Sequence, residues 1–305
     1  MSNPFFSVII NCYNGEFFLE DSIDSVYNQT FDDWEIIFWD NASTDNSSKI
    51  VHKYDKRIKY FLSKKTEPLY VARNLAIKKS IGHYLAFIDV DDLWEPNKLE
   101  SINEVIKNYP GNFVYASNFK YLFNEKLSNS QYPLNKQAVF ARNFSMLIKS
   151  YDIAMSTIVI DKHAFNQYKG FDEKFHLTGD KELVLRLSLT NDVIVSNQVL
   201  VYIRIHNNNE TINKIECFAV ENLLLIEKFL SLKFISLENI NLLICMFHKV
   251  LFQRSVYLFS NKKSFLARNI IKNSFPPFKF LLFYFVSFIS SKYYNYIAKL
   301  YRVIK

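Results

Sequence analysis

Asp89, Asp91 and Asp92 stand together in FIDVDDLWEP, directly after the apolar run Tyr84, Leu85, Ala86, Phe87 and Ile88. The run reads as a buried strand, so three carboxylates crowd its mouth. Like charges that close raise each other's pKa and call for compensation. A hard cation such as Mg²⁺ or Mn²⁺, which favours carboxylate, phosphate and water oxygens, would supply it. The plain alternative is a solvated acidic turn that caps the next helix. Asp92 is expected to be structural, paired with a backbone amide or the helix start.

The elements around these residues alternate from the beginning of the chain. FSVIIN (6–11), WEIIFW (34–39), IKYFL (58–62) and residues 84–88 read as strands. Helical patterns fall between them at 17–28, with Phe18, Ile23 and Val26 as core positions, at about 45–54, and at 69–80. Gly82 is a candidate C-cap for the third helix, and the helix after the aspartates is expected to begin at Pro96. Such a βαβαβαβ series predicts an open, mostly parallel sheet with helices on both faces. Ligands of these sheets bind beyond the carboxyl ends of the strands. NCYN, WDNASTD and DVDD therefore converge on one crevice. Residues 112–117 and 156–161 add strands, 180–191 reads as a helix with Leu183, Val184 and Leu187 inward, and 192–206 is extended. From about 216 onward the pattern is helical, broken at Pro276 and Pro277.

Composition narrows the function. With 5 glycines in 305 residues, neither a dinucleotide-binding nor a P-loop glycine pattern is present. Cys12, Cys217 and Cys245 are odd in number and far apart, which predicts neither a zinc site nor a disulfide framework and suits a reducing compartment. MSNPFFSVII has no basic leader and runs straight into a strand, so no signal peptide is expected. The net charge of +7 is uneven. After Glu238 come eleven lysines and arginines and no acid, whereas residues 1–238 hold 26 basic and 30 acidic residues.

SVIINCYN, SIDSVYNQTFDDWEIIFWDNASTDNS, ARNLAI, GHYLAFIDVDDLWEPNKL, GFDEKF, GDKELVLRLS and YIRIHNNN follow one another in the order and spacing of family 2 glycosyltransferases. Over roughly residues 5–210 the chain resembles that family. The resemblance implies the GT-A fold, a Rossmann-like nucleotide-sugar-binding α/β domain with a mostly parallel sheet, together with inverting chemistry and a divalent metal, Mn²⁺ or Mg²⁺. It further implies that Asp89-Val90-Asp91 is the DxD motif, with Asp89, Asp91 and His206 as metal ligands. Tyr13, Asp40, Arg73 and Val90 form the implied donor-contacting set. Asp180 is the implied base that takes the acceptor proton.

Each role has a bland counterpart. Asp40 contacts uracil or ribose, or else closes an Asx turn or caps a helix. Asp45 is read as a cap. Tyr13 packs near the base or belongs to the core, Arg73 binds phosphate or is a surface helix arginine, and His206 is a ligand or a surface residue at a strand end. Asp180 is also a natural N-cap for its helix, with Glu182 as the alternative base. The chain departs from the family at Gly179, where an acid usually precedes the base, and at Asn11, where proline is usual.

The expected organisation is a GT-A domain over 1–215, divided into a donor half (1–110) and an acceptor half (111–215), followed by a helical, basic and aromatic tail over 216–305. Cations interleaved with Phe, Leu and Tyr suit an anionic membrane surface, although a packing layer with a solvated basic face has the same composition. No nucleic-acid motif is present, and FLLFYFVSFI covers about half the length a membrane span needs. The expected activity is transfer of a sugar from a UDP-sugar to a saccharide acceptor linked to undecaprenyl diphosphate. O-antigen, lipopolysaccharide or capsule assembly at the cytoplasmic face of the membrane is the setting the resemblance and the tail imply. A catalytically inactive nucleotide- or saccharide-binding scaffold and a basic membrane tether are the alternatives.

Overall fold

The structure, a computed structural model, describes residues 3–123, 125–133, 138–206, 209, 214–232 and 235–260. The chain forms two compact units, Met1–Asn209 and Glu210–Lys305. In the first, the β-branched and aromatic runs become β1 (Phe6–Cys12), β2 (Trp34–Asp40), β3 (Ile58–Leu62) and β4 (Tyr84–Phe87), and the amphipathic stretches become α1 (Leu19–Tyr27), α2 (Ser47–Val51) and α3 (Leu69–Ile77). After the aspartates come β5 (Leu93–Trp94), α4 (Lys98–Asn108), β6 (Val114–Phe123), β7 (Lys126–Leu127), β8 (Val139–Arg142) and α5 (Phe144–Lys149). A 3₁₀ turn at Met155–Thr157 leads into β9 (Val159–Asp161), α6 (Lys162–Gln167), α7 (Gly179–Leu187) and β10 (Val193–Ile205).

All the strands join one sheet in the order β3-β2-β1-β4-β9-β6-β10-β5, with β7 on β6 and β8 on β10. The β3-β2-β1-β4 part is parallel, as expected, and β9 runs antiparallel to both of its neighbours. Pairing of Cys12 with Asp40, and of Ile9 with Phe87, ends β1, β2 and β4 on the same edge. Phe6, Val8 and Ile10 pack on Leu19, Ile23 and Val26 of α1 and on Leu99, Ile102 and Ile106 of α4. On α3, Tyr70, Arg73 and Ile77 are buried at helical spacing.

Three local expectations differ from what forms. Phe18 is the N-cap residue of α1 and only partly buried, and Leu19 takes the core place beside Ile23 and Val26. Helix α4 starts at Lys98, because the backbone before it is already engaged: Glu95 N–H donates to Leu200 O, and Pro96 O accepts from Thr30 N–H. Gly82 caps nothing. A Cβ there would lie 2.6 Å from the Ser7 backbone nitrogen, so the glycine allows the two chains to touch, and its N–H donates to Ser7 Oγ.

The second unit contributes α8 (Ile215–Leu230) and α9 (Leu237–Ser260), which pack on each other. Leu225, Ile226 and Phe229 are buried on the first, and Leu243, Met246 and Val250 on the second. Among the described residues no helix is long and apolar enough to cross a membrane. The expected break at Pro276 and Pro277 and most of the basic tail lie outside the described residues.

Lys98 is an energetic weak point in the first unit. Its side chain is 0% exposed, its Nζ has no hydrogen-bond partner, and it rests 4.1 Å from the centroid of the Trp94 ring. Burial pushes its pKa down to about 7, since a desolvated ammonium favours its neutral form. Between that value and the unfolded value of 10.5 the unfolded chain binds the extra proton, so stability rises with pH across this window. Lys98→Met should therefore stabilise the fold by about 2 kcal/mol at pH 7. Urea denaturation of both proteins at pH 7 and pH 10 checks this, with the difference expected to shrink at the higher pH.

Candidate active site

The three carboxylates after β4 go to three different partners. Asp89 Oδ1 accepts from Arg73 Nη2 at 2.5 Å. Asp91 Oδ2 lies 2.9 Å from His206 Nε2 and accepts from Asn209 Nδ2 at 3.2 Å. Asp92 accepts from the Ser156 hydroxyl at 2.5 Å and from the Arg204 backbone N–H at 3.1 Å. Asp92 is thus structural, as its expected pairing with a backbone amide implied. Burial is the main force raising the pKa of both Asp91 and Asp92, helped by their neighbouring carboxylates.

Strand pairing brings these partners in. The two residues of β5 pair antiparallel with Val201 and Tyr202 of β10. That short ladder fixes the end of β10 beside the aspartates. Arg204 and His206 then follow with the period of an extended chain. Arg204 Nε donates to Asp91 O at 3.0 Å, and Arg204 Nη2 donates to Asp21 Oδ2 at 3.1 Å. The Arg204 guanidinium sits 4.4 Å from the Phe18 ring centroid, and His206 packs on the same ring with centroids 5.0 Å apart.

A second network runs along α3. Arg73 is buried, so it is not a surface helix arginine. Burial works against its charge, and the carboxylates of Asp89 and Asp180 more than restore it. One turn earlier on α3, Tyr70 Oη donates to Asp180 Oδ1 at 2.9 Å. Asp180 is the second residue of α7, whose N-cap is Thr178, so it lies inside the first turn and is not the expected N-cap; burial raises its pKa against the pull of Arg73. Glu182 is fully buried and grips Arg186 through both oxygens, at 2.7 and 2.8 Å. Arg186 Nη2 in turn donates to Gly170 O. Glu182 is therefore tied into the α7 packing and is not available as a base.

The remaining expected residues line the same strand ends. Asp40 is buried and accepts from the Ser43 N–H, three residues on, at 2.7 Å and from the Tyr60 hydroxyl at 2.6 Å, so its side chain closes the turn after β2 in the manner of a cap and not as an Asx turn. Asp45 accepts from Ser47 N–H and Glu16 N–H, joining the start of α2 to the loop after β1. Tyr13 is 54% exposed and is not a core residue. Val90 packs close to Gly15, where an added Cβ would come within 3.2 Å. The Asn11 side chain has no hydrogen-bond partner.

The expected metal set is brought together only in part. Asp91 and His206 meet, whereas Asp89 turns to Arg73. Among the described residues no group of three His, Cys, Asp or Glu side chains is assembled for a metal. The Asp91 carboxylate and His206 imidazole are nonetheless donor types that Mn²⁺ accepts, and a pair leaves coordination positions for phosphate and water.

Phe18, Tyr70, Arg204 and Asn209 were not anticipated as site residues. Arg204 was legible, since it precedes His206 by two on an extended strand and so shares its face. Tyr70 was hidden inside a helix, where nothing local distinguishes it from a core aromatic.

Residues 7–169 match the family described as "Glycosyl transferase family 2". An uncharacterized glycosyltransferase of Rickettsia bellii is 35% identical over 207 residues, which is 67% of this chain but only 29% of that protein. The Escherichia coli UDP-Glc:alpha-D-GlcNAc-diphosphoundecaprenol beta-1,3-glucosyltransferase WfgD is 30% identical over 198 residues, 64% of this chain and 74% of that enzyme. Among solved structures, S. aureus TarS 1-349 in complex with UDP-GlcNAc superposes with a TM-score of 0.69 at 19% identity, over 89% of this chain and 81% of that one. That likeness confirms the GT-A-like α/β fold. The matched family, which spans more than half of the chain, establishes that this chain belongs to glycosyl transferase family 2.

Proposed function

We propose that the chain transfers a sugar, with inversion, from a UDP-sugar to a lipid-linked saccharide during assembly of a bacterial surface polysaccharide. One observation supports this reading: Asp89 of the DxD sequence and Asp180 are held from a single helix, α3, through Arg73 and Tyr70 one turn apart. A donor site and a base held by one helix are what a single displacement requires. The donor class follows from the likeness to WfgD, whose name specifies UDP-glucose and a diphosphoundecaprenol acceptor.

In this reading Asp180 accepts the proton of the acceptor hydroxyl as that oxygen attacks the anomeric carbon. The bond to the UDP oxygen breaks on the opposite face. Arg73, fixed by Asp89, contributes fixed positive charge near the diphosphate. Tyr13 offers an exposed ring to the uracil, Asp40 lies at the nucleoside end of β2, and Val90 lines the donor side of the loop. Asp91 and His206 would hold a divalent cation, with Asp89 beside them. Such an ion, when bound, supplies charge neutralisation to the leaving diphosphate.

Asp180→Asn should lower kcat by about 10²-fold or more and leave UDP affinity unchanged. Near-normal turnover in that variant would remove Asp180 from the role. Because burial raises the Asp180 pKa and a base must be deprotonated to act, the acid limb of the wild-type kcat profile should lie above the ordinary carboxylate range near 4. Calorimetry tests the donor site separately. UDP should bind wild type with Mn²⁺, bind much more weakly in EDTA, and lose the metal dependence in Asp91→Ala. Metal-independent binding of equal strength in both proteins would refute the cation.

We further propose that the basic region after Glu238 holds the enzyme on the anionic inner face of the cell membrane. Each of its cations is worth about 1 kcal/mol at such a surface, screened by salt. The full chain should co-sediment with phosphatidylglycerol vesicles at low salt and be released as salt rises. Equal partition onto neutral phosphatidylcholine vesicles would remove the electrostatic part of the idea.

A further inference from the structure

Gly179 stands where an acidic residue usually precedes the base, and its surroundings give the substitution a purpose. A Cβ at position 179 would lie 2.7 Å from Cδ2 and Cε2 of Tyr70 and 2.8 Å from Cγ. The tyrosine ring therefore occupies the space that any side chain at 179 would need. That ring is 1% exposed, and it is backed by Phe171 with centroids 5.1 Å apart. From this seat its hydroxyl reaches Asp180 Oδ1 at 2.9 Å.

We propose that Tyr70 and Gly179 form one device that positions Asp180, with the glycine opening the space through which the Tyr70 hydroxyl holds one oxygen of the base. The inference rests on the reading of Asp180 as the base. A carboxylate in the first turn of a helix has a competing use, folding back onto the free N–H groups there. The Lys181 backbone N–H already bonds to this carboxylate, and the Tyr70 hydroxyl on Oδ1 holds it against rotating further onto the helix start. Glu182 cannot do this work, since both of its oxygens are held by Arg186. Tyr70 is also the point where the base meets the donor side. Arg73, one turn along α3, lies 5.4 Å from the Tyr70 ring centroid and pairs with Asp89. Tyr70 is a positioning residue, acting on the acceptor through Asp180.

The test uses the full chain and UDP release from UDP-glucose with Mn²⁺ in the presence of acceptor lipid extract. Tyr70→Phe keeps the ring on Gly179 and removes only the hydroxyl. Its kcat should fall about tenfold or more, with the KM for UDP-glucose unchanged and the protein still folded with a cooperative melt, lowered by the few degrees that a lost buried hydrogen bond costs. A tyrosine that merely fills space predicts wild-type kcat in this variant, and that result would overturn the proposal. Gly179→Glu alone should be more damaging than Tyr70→Phe. Combined with Tyr70→Ala, which vacates the space, it should regain activity over Gly179→Glu by itself, whereas simple multiplication of the two losses would count against a shared device. Asp180→Asn run alongside separates the two readings. If it is inactive while Tyr70→Phe is normal, only the role of Tyr70 falls, and if it is active, the base assignment falls and takes the device with it. A crystal structure of Gly179→Ala needs no substrate. The Tyr70–Asp180 contact should be broken there, and an intact contact would contradict the steric half of the proposal.

Discussion

Three carboxylates within four residues at the end of a buried strand repel one another, and the site is organised by how that repulsion is met. Each carboxylate has a different partner from a different element: Arg73 of α3 for Asp89, His206 after β10 for Asp91, and Ser156 with the Arg204 backbone for Asp92. Sharing one cation among all three would have left the cluster dependent on a single contact. Dividing them gives each aspartate its own geometry and exposure. Asp89 keeps 41% of its side-chain surface and Asp91 keeps 21%, while Asp92 is buried as the internal anchor. The first two remain open to a ligand, as the proposed function requires, and the third is structural.

The constraint reaches outward into topology. His206 and Arg204 arrive only because β10 is long and because β5, two residues immediately after the aspartates, pairs with it. That pairing ties residues 93–94 to β10 and so brings the acidic turn beside its end. On the opposite side, α3 holds Asp89 and Asp180 from residues one turn apart. The helix is short, and its buried face carries Arg73 and the Tyr70 hydroxyl among apolar residues. Those polar groups are tolerated because both are satisfied. They couple a donor-side carboxylate to an acceptor-side one more than ninety positions away in the chain.

Much of this was legible in the residues. Alternating β and α runs predict the sheet and the edge where the polar strand ends gather, since strand ends follow from periodicity and topology from chain order. Asp92 as an internal anchor and Asp45 as a cap followed from charge density and turn chemistry. What escaped were contacts made by side chains distant in sequence. Gly82 was read through its helix, when its reason is the backbone of β1. Phe18 looked like a core residue because the helical pattern is shifted by one, and its true role depends on Arg204 and His206. Gly179 looked like a loss from a motif. Only the Tyr70 ring above it, placed by a different helix, turns the missing side chain into available space.

The charge of the finished site still does not balance. Asp89, Asp91, Asp92 and Asp180 bring four carboxylates to this edge, and Asp21 adds a fifth at its rim, against the two fixed cations Arg73 and Arg204. The protein meets part of the deficit by making ionisation harder: burial raises the pKa of Asp91, Asp92 and Asp180 alike. A carboxylate that resists ionisation is a better proton acceptor once ionised, which favours Asp180, but a raised pKa serves Asp91 badly unless a stronger cation than a proton competes for it. The proposed divalent ion resolves that asymmetry. It would take Asp91 and His206 as ligands in place of their mutual contact and bring charge toward a diphosphate that five carboxylates would otherwise repel.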